Sequence, residues 1–313
     1  MRLLLVGCSG FVGRELVLHL LAAGHQLILV SRKSAFGFDQ ARQTGQLRCL
    51  QINPADQESW LNDPLLSALA EAEGVVNLAG EPIAEQRWTP DHCQKLESSR
   101  LDTTRALVQA MGQLKVPPRV LLNASAVGYY GTSPDGYFTE KSPCGDDFLA
   151  HLCERWEAAA AAKPAATRLV VVRIGIVLGP DGGALGKMLP VFRLGFGGPL
   201  GSGRQWMSWI HRTDLCQLIS KALEDRSWSG VVNGVAPKSV SMALFAATLG
   251  KVLGRPSLLP VPGSILKLLL GDGARVVLEG QHVASERLSE LGFSFQYPDL
   301  EQALSAATTP TPH

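Results

Sequence analysis

Residues 1–31, MRLLLVGCSGFVGRELVLHLLAAGHQLILVS, decide the fold. Leu3 to Val6 is a short apolar run ending in glycine, FVGRELVLHLLAAGH has helical periodicity, and QLILVS is a second apolar run. Two strand-length runs around one amphipathic helix, with Gly24 as its C-terminal cap, make a β-α-β unit. The alternation continues through LRCLQIN, GVVNLAG, SSRLDTTRALVQAMGQL, PRVLLNASA, DDFLAHLCERWE and TRLVVVRIGIVLG. Apolar strands alternating with amphipathic helices predict a parallel sheet covered on both faces, an α/β fold of doubly wound Rossmann type. After residue 180 the texture changes to GPDGGALGKMLPVFRLGFGGPLGSGRQW, predicting a loop-dominated C-terminal lobe. The sheet domain is expected at 1–178 with a strand returning near 231–236, and the lobe mainly at 179–306. Residues 307–313 are expected to form a frayed, flexible tail.

Composition narrows the classes of function. With 313 residues, 46% hydrophobic and 18% charged, the chain can bury a large core and does not read as disordered. Twenty-nine basic residues against 28 acidic ones leave +1, too even a balance for tight binding to a nucleic-acid backbone. The six cysteines are scattered without a Cys-x-x-Cys pair or a histidine at ligand spacing, so they read as reduced thiols with no metal site. Leu5-Val6-Gly7-Cys8 imitates a lipoprotein cleavage site, but too few residues precede it for a signal peptide. The apolar run at 258–271 is broken by prolines and Lys267 and is short for a bilayer. A cytoplasmic protein with neither membrane nor nucleic-acid partner is expected, and a homodimer is open.

The turn Gly7-Cys8-Ser9-Gly10-Phe11-Val12-Gly13 joins the first strand to the first helix. Glycines there let the backbone approach a pyrophosphate, and the helix N-terminus offers unpaired N–H groups with a partial positive charge. The position usually acidic in NAD-preferring proteins reads Ser31-Arg32-Lys33. A guanidinium and an ammonium suit a 2′-phosphate that a carboxylate would repel, which predicts NADP(H). The bland alternative is that Arg32 is a solvated strand end.

The glycine spacing, Asn77-Leu78-Ala79-Gly80 and the strand end ASAVGYYG together resemble the extended short-chain dehydrogenase/reductases. The phrases NLAGEPI, RWTP, SRLDTTRALV, WEAAA, RIGIVLGPDGGALGKMLPVFRLGFGGPLGSGRQWMSWIH and GFSFQYPDLEQAL are similar to its atypical epimerase-family branch. Members of that branch carry labels such as sugar-nucleotide epimerase or cell-division-inhibitor-like. The resemblance implies a Rossmann domain binding NADP(H) beneath a smaller lobe. It places Gly7, Ser9, Gly10, Phe11, Val12 and Gly13 at the pyrophosphate, with Ser31, Arg32 and Lys33 around the adenosine phosphate. It also places Asn53 at the adenine, Leu78, Ala79 and Gly80 along the riboses, and Arg173 to Val177, Ile176 included, at the nicotinamide end. Ser125 matches the catalytic serine. Gly80 also reads as a plain turn, and Asn53 as the lead into a loop opened by Pro54.

The same family uses Tyr-x-x-x-Lys on one helix face, because a lysine beside a phenol stabilises the phenolate. Here those slots hold Leu149 and Cys153, if Glu157 is the acidic residue that follows the motif. Arg100 occupies the place of a proton-relaying asparagine, Met207 that of a phosphate-binding arginine, and Ile176 that of a polar substrate contact. Tyr129 and Tyr130 are the candidate replacement proton donors, with Lys141, Lys187 or Arg204 as cationic neighbours, although both phenols also read as packing residues. His211 and Asp214 read more simply as part of a strand, turn and helix cap, with Asp214 or Thr213 as the cap. Trp206, Trp209, Phe192 and Phe196 form either a wall over the nicotinamide or the core of the lobe. The expected function is an NADP(H)-binding, epimerase-like oxidoreductase whose small-molecule substrate the sequence does not name. The alternative is a non-catalytic NADP(H)-dependent sensor.

Overall fold

The computed structural model describes residues 1–32 and 38–309 of the chain. Seven strands form the main sheet: β1 (Arg2–Val6), β2 (Gln26–Ser31), β3 (Leu47–Gln51), β4 (Gly74–Asn77), β5 (Val120–Ala126), β6 (Arg168–Ile174) and β7 (Gly230–Gly234). Their spatial order is β7-β6-β5-β4-β1-β2-β3, and every neighbouring pair is parallel. The order reverses between β1 and β4, the crevice where doubly wound sheets bind ligands. The expected doubly wound α/β fold is therefore present, with β7 as the returning strand.

Three helices bear most directly on that crevice: α1 (Phe11–Ala22), α2 (Pro90–Gln113) and α3 (Phe148–Ala161). Leu16, Val17 and Leu20 of α1 pack on one face of the sheet, while Leu107 and Met111 of α2 and Ala160 of α3 pack on the other. Strands covered on both sides have no solvent face, which is why their sequences run apolar without alternation. Helix α1 ends where Gly24 takes φ +80°, a conformation that favours glycine.

The region after residue 178 contains more helix than its glycines and prolines predict. Residues Gly183–Arg193 form α4 despite Pro190, because Leu185, Leu189 and Phe192 fall on one face and are buried. They join Met207 and Trp209, Phe245 of α6 (Met242–Leu253) and Leu304 of α8 (Leu300–Thr308) in a core of their own; α5 (Arg212–Glu224) and α7 (Gly263–Leu270) lie between. Trp209 and Phe192 are thus core, whereas Phe196 is 61% exposed and Trp206 stacks on His282 at 4.1 Å. Of the tail expected to fray from Ala307, Ala307 and Thr308 belong to α8, with Ala307 buried, and residues 310–313 lie outside the described residues. Among the described residues, no helix is long and apolar enough to cross a membrane.

Candidate functional site

The three turn glycines are required for three different reasons. At Gly7, φ is +79° and a Cβ would lie 2.5 Å from the backbone nitrogen of Ala79, so the turn presses against the end of β4. At Gly13 a Cβ would lie 2.3 Å from Cα of Cys8, so α1 packs directly under the turn. At Gly10 the nearest atom is 3.8 Å away, the backbone oxygen of Gly7, which leaves open space where a pyrophosphate belongs. Gly10 is also the N-cap of α1, and no side chain occupies its first N–H groups. The carbonyl of Ser9 accepts from Arg14 Nε at 3.2 Å, and Val12 packs on the core below. The ring of Phe11 supports Gly179, Gly182 and Gly183, each placed so that a Cβ would come within about 3 Å of it. Arg212, 7% exposed, lies 4.7 Å over that ring and pairs with Asp181 and with Glu15.

At the adenosine end, Ser31 closes β2 and is buried. Arg32 projects outward with its side chain 72% exposed, 3.7 Å from Glu81. Lys33 lies outside the described residues. Asn53 makes a local turn, its Oδ1 accepting from the N–H of Ala55 at 3.3 Å. Leu78 donates its N–H to Val6, and Ala79 donates to Asn77 Oδ1. A Cβ at Gly80 would meet the Arg100 guanidinium at 2.9 Å. Arg100 donates to the carbonyls of Leu96 and Glu81 and lies over the Trp156 ring. It is a cation that fixes the 80–81 backbone, and burial lowers its pKa from the ordinary arginine value.

At the carboxyl ends of β5 and β6 a hydrogen-bonded chain forms. Ser125 Oγ, 3% exposed, donates to Glu157 Oε1 at 2.6 Å. Arg173 grips the same carboxylate with Nε and Nη2, both at 2.8 Å, and its Nη1 donates to the Tyr130 hydroxyl at 3.0 Å. Tyr130 in turn donates to Asn233 Oδ1 at 2.7 Å. Ser125 and Arg173 are direct partners across the β5–β6 register, so both side chains face α3, which carries Glu157. The Arg173 guanidinium also lies flat on the Tyr129 ring, 3.3 Å from its centre. Burial is the largest influence on both phenols and raises their pKa values, against the opposing pull of Arg173.

The structure therefore brings Ser125, Tyr129, Tyr130 and Arg173 together. Two of the three expected cationic neighbours have other partners: Lys141 bonds Glu286 at 2.9 Å, and Lys187 bonds the carbonyl of Ala84 at 2.8 Å, while the Arg204 backbone N–H bonds Ser202 Oγ. Leu149 packs over Gly128, and the buried Cys153 thiol is pushed up to about 11, chiefly by burial. Ile176 runs parallel to Trp209 in a short strand pair, and Met207 is buried in the lobe core. The cap expected at Asp214 or Thr213 is instead His211, whose Nδ1 accepts from the N–H of Thr213 at 3.2 Å. Burial lowers the His211 pKa to about 4, so the ring is neutral and suits this acceptor role. Asp214 accepts from the N–H groups of Gln296 and Tyr297, holding the C-terminal segment. Sequence reasoning missed Asn233; its only signal was one amide side chain in the otherwise apolar strand VVNGVA.

Comparison with known proteins agrees with the fold. The chain is 44% identical over 303 residues to an epimerase family protein SDR39U1 homolog of Arabidopsis thaliana, described as chloroplastic, covering 96% of this chain and 84% of that one. It is 40% identical over 308 residues to the human epimerase family protein SDR39U1, covering 97% and 98%. The crystal structure of that human protein (isoform 2) with NADPH superposes with a TM-score of 0.86, at 38% identity over 98% of this chain and 99% of that one. A UDP-glucuronic acid 4-epimerase from Bacillus cereus, solved with NAD, shares the fold at a TM-score of 0.76 and 18% identity, covering 98% and 96%. A domain of unknown function, DUF1731, matches residues 261–307. The profile of the NAD dependent epimerase/dehydratase family matches residues 3–233, and the chain belongs to that family.

Proposed function

We propose that the chain is an NADP(H)-dependent, epimerase-like oxidoreductase that reduces a small carbonyl compound. The observation that carries this reading is the open space over Gly10 at the uncapped start of α1, with Ser125 next to last in β5 and Tyr129 just after that strand. That turn suits the cofactor: Gly7, Ser9, Gly10, Phe11, Val12 and Gly13 would hold the pyrophosphate. Arg32 would exchange its exposed contact with Glu81, a weak one in solvent, for the 2′-phosphate. Asn53, Leu78, Ala79, Gly80 and Ile176 would line the adenine, ribose and nicotinamide positions, and the lobe would close over them. The NADPH bound by the human relative supports the same cofactor here.

The cofactor supplies a hydride; the protein must supply a proton to the oxygen that gains charge. Tyr130 is poorly suited, because its hydroxyl already donates to Asn233 and accepts from Arg173. Tyr129 is the better donor. Its raised pKa keeps the proton in place near neutral pH, and the Arg173 cation beneath the ring stabilises the phenolate left behind. Ser125 gives its single proton to Glu157, so it would position the substrate oxygen only by turning that hydrogen bond over to it. Leu149 and Cys153 offer no lysine-supported phenol, so Tyr129 would serve both directions, as the donor in reduction and, once deprotonated, as the base in alcohol oxidation.

Following NADPH absorbance with a panel of aldehydes, ketones, quinones and sugar nucleotides tests the reading. Turnover should fall at least about a hundredfold in Tyr129→Phe and Ser125→Ala. Arg32→Ala should weaken NADPH binding about tenfold, with little change for NADH. The occupation of 149 and 153 by leucine and a protonated thiol favours a second reading, a cofactor-dependent sensor, which tight NADPH binding without turnover across the panel would establish. We place the protein in the cytoplasm, in keeping with its six free cysteines.

A further inference from the structure

The loop before α3 and the exposed side of that helix bring together three side chains of metal-ligand type. His151 and Glu154 are three residues apart on α3, so they neighbour one another on its surface, with Nδ1 and Oε2 3.9 Å apart. Cys144 meets them from the preceding loop, and the thiol, imidazole and carboxylate donor atoms all lie within 4.8 Å of one another. The loop backbone is fixed on both sides of the cysteine. Gly145 donates its N–H to the carbonyl of Tyr129 at 2.9 Å and packs on Gly131, Asp147 Oδ1 caps α3 through the N–H of Ala150, and the Thr139 N–H bonds Ser142 Oγ at 3.0 Å.

We propose that Cys144, His151 and Glu154 form a zinc-binding site that staples the 142–147 loop to the first two turns of α3. One thiolate, one imidazole and one carboxylate form a donor set of intermediate softness, which suits Zn²⁺ and not the oxygen-seeking Mg²⁺ or Ca²⁺. Tetrahedral bonds of about 2.0–2.3 Å put neighbouring donors roughly 3.3–3.8 Å apart. The cluster needs to contract by about 1 Å to reach that spacing, a distance that rotation of long exposed side chains covers. His151 and Glu154 are 56% and 57% exposed, so they are free to rotate and a fourth position remains open to water. Burial and the Glu154 charge hold the Cys144 proton in place without metal, so binding releases that proton. Glu157, which grips Ser125, lies one turn further along the same helix, so occupation of the site would stiffen the support of the polar chain.

The test uses the full-length, untagged protein and Co²⁺ as the spectroscopic probe, with no nicotinamide cofactor present. One Co²⁺ per chain should bind with a thiolate-to-metal absorption band and tetrahedral ligand-field bands, and Zn²⁺ should displace it. Cys144→Ser should abolish the thiolate band, while His151→Ala and Glu154→Gln should each weaken binding at least about tenfold. Zn²⁺ should also slow alkylation of Cys144 by about tenfold or more, as resolved by peptide mass spectrometry, and leave Cys49 and Cys93 unchanged. A band that survives in Cys144→Ser, equal protection at Cys93, or no binding below about 100 µM would each overturn the site. Because the titration contains no cofactor, such a failure says nothing about the oxidoreductase reading.

Discussion

The glycine turn at 7–13 and the polar chain around Glu157 stand a few strands apart on the same edge of the sheet, and they are constructed by opposite means. The turn owes its shape to missing atoms: a Cβ at Gly7 or Gly13 collides with backbone, and one at Gly10 would enter the open space that we propose for the phosphate. The chain around Glu157 owes its shape to atoms present, five side chains from three strands, one helix and the turn after β5, each holding the next. Backbone exclusion is local and acts residue by residue. A buried polar network depends on every member, since a lost partner leaves the others without solvent or compensation.

That contrast can be broken by substitution. The largest expected effect is Glu157→Ala, which strands a guanidinium only 4% exposed; urea unfolding should show a loss of about 3–5 kcal/mol. Gly13→Ala forces backbone apart and should cost about 3 kcal/mol by the same measurement, the upper end of overpacking penalties. Tyr130→Phe removes one buried hydrogen-bond donor and leaves Asn233 Oδ1 unsatisfied, a loss of about 2 kcal/mol. If its NADPH turnover stays within about threefold of the parent, Tyr130 is structural and Tyr129 keeps the donor role. The smallest stability effect is expected for Gly10→Ala, within about 0.5 kcal/mol, because the new methyl group meets nothing closer than 3.8 Å. The same variant should nevertheless lose at least about tenfold in NADPH affinity by fluorescence titration. A Gly10→Ala protein that binds NADPH normally would show that the space above that residue is not the phosphate position.

The two regions also differ in how far the sequence reveals them. The parallel sheet and the turn follow from short-range signals: apolar runs of strand length, helical spacing and glycines between them. Ser125 and Arg173 could be named because the family resemblance points to them, but their shared partner could not be read from spacing. Glu157 lies 32 residues from Ser125 and 16 from Arg173, and Asn233 lies 103 from Tyr130. Such pairings depend on the β5–β6–β7 register, which no local pattern specifies. The His211 cap was hidden for another reason: serine, threonine and aspartate are commoner caps, and only deep burial makes a neutral imidazole suitable. In α4, the periodic trio Leu185, Leu189 and Phe192 was visible but outweighed by glycine and proline composition.

Phe11 belongs by sequence to the dinucleotide turn, yet three glycines of the segment leading into the lobe rest on its ring, and Arg212 clamps it from above. The benzene ring therefore acts as a shared bearing between the two halves of the molecule. Anyone transplanting a foreign lobe onto this nucleotide-binding half to change its specificity would need to carry residues 179–183 and Arg212 along with the graft. Otherwise the bearing loses its seat, and the phosphate loop shifts although none of its own residues has been changed.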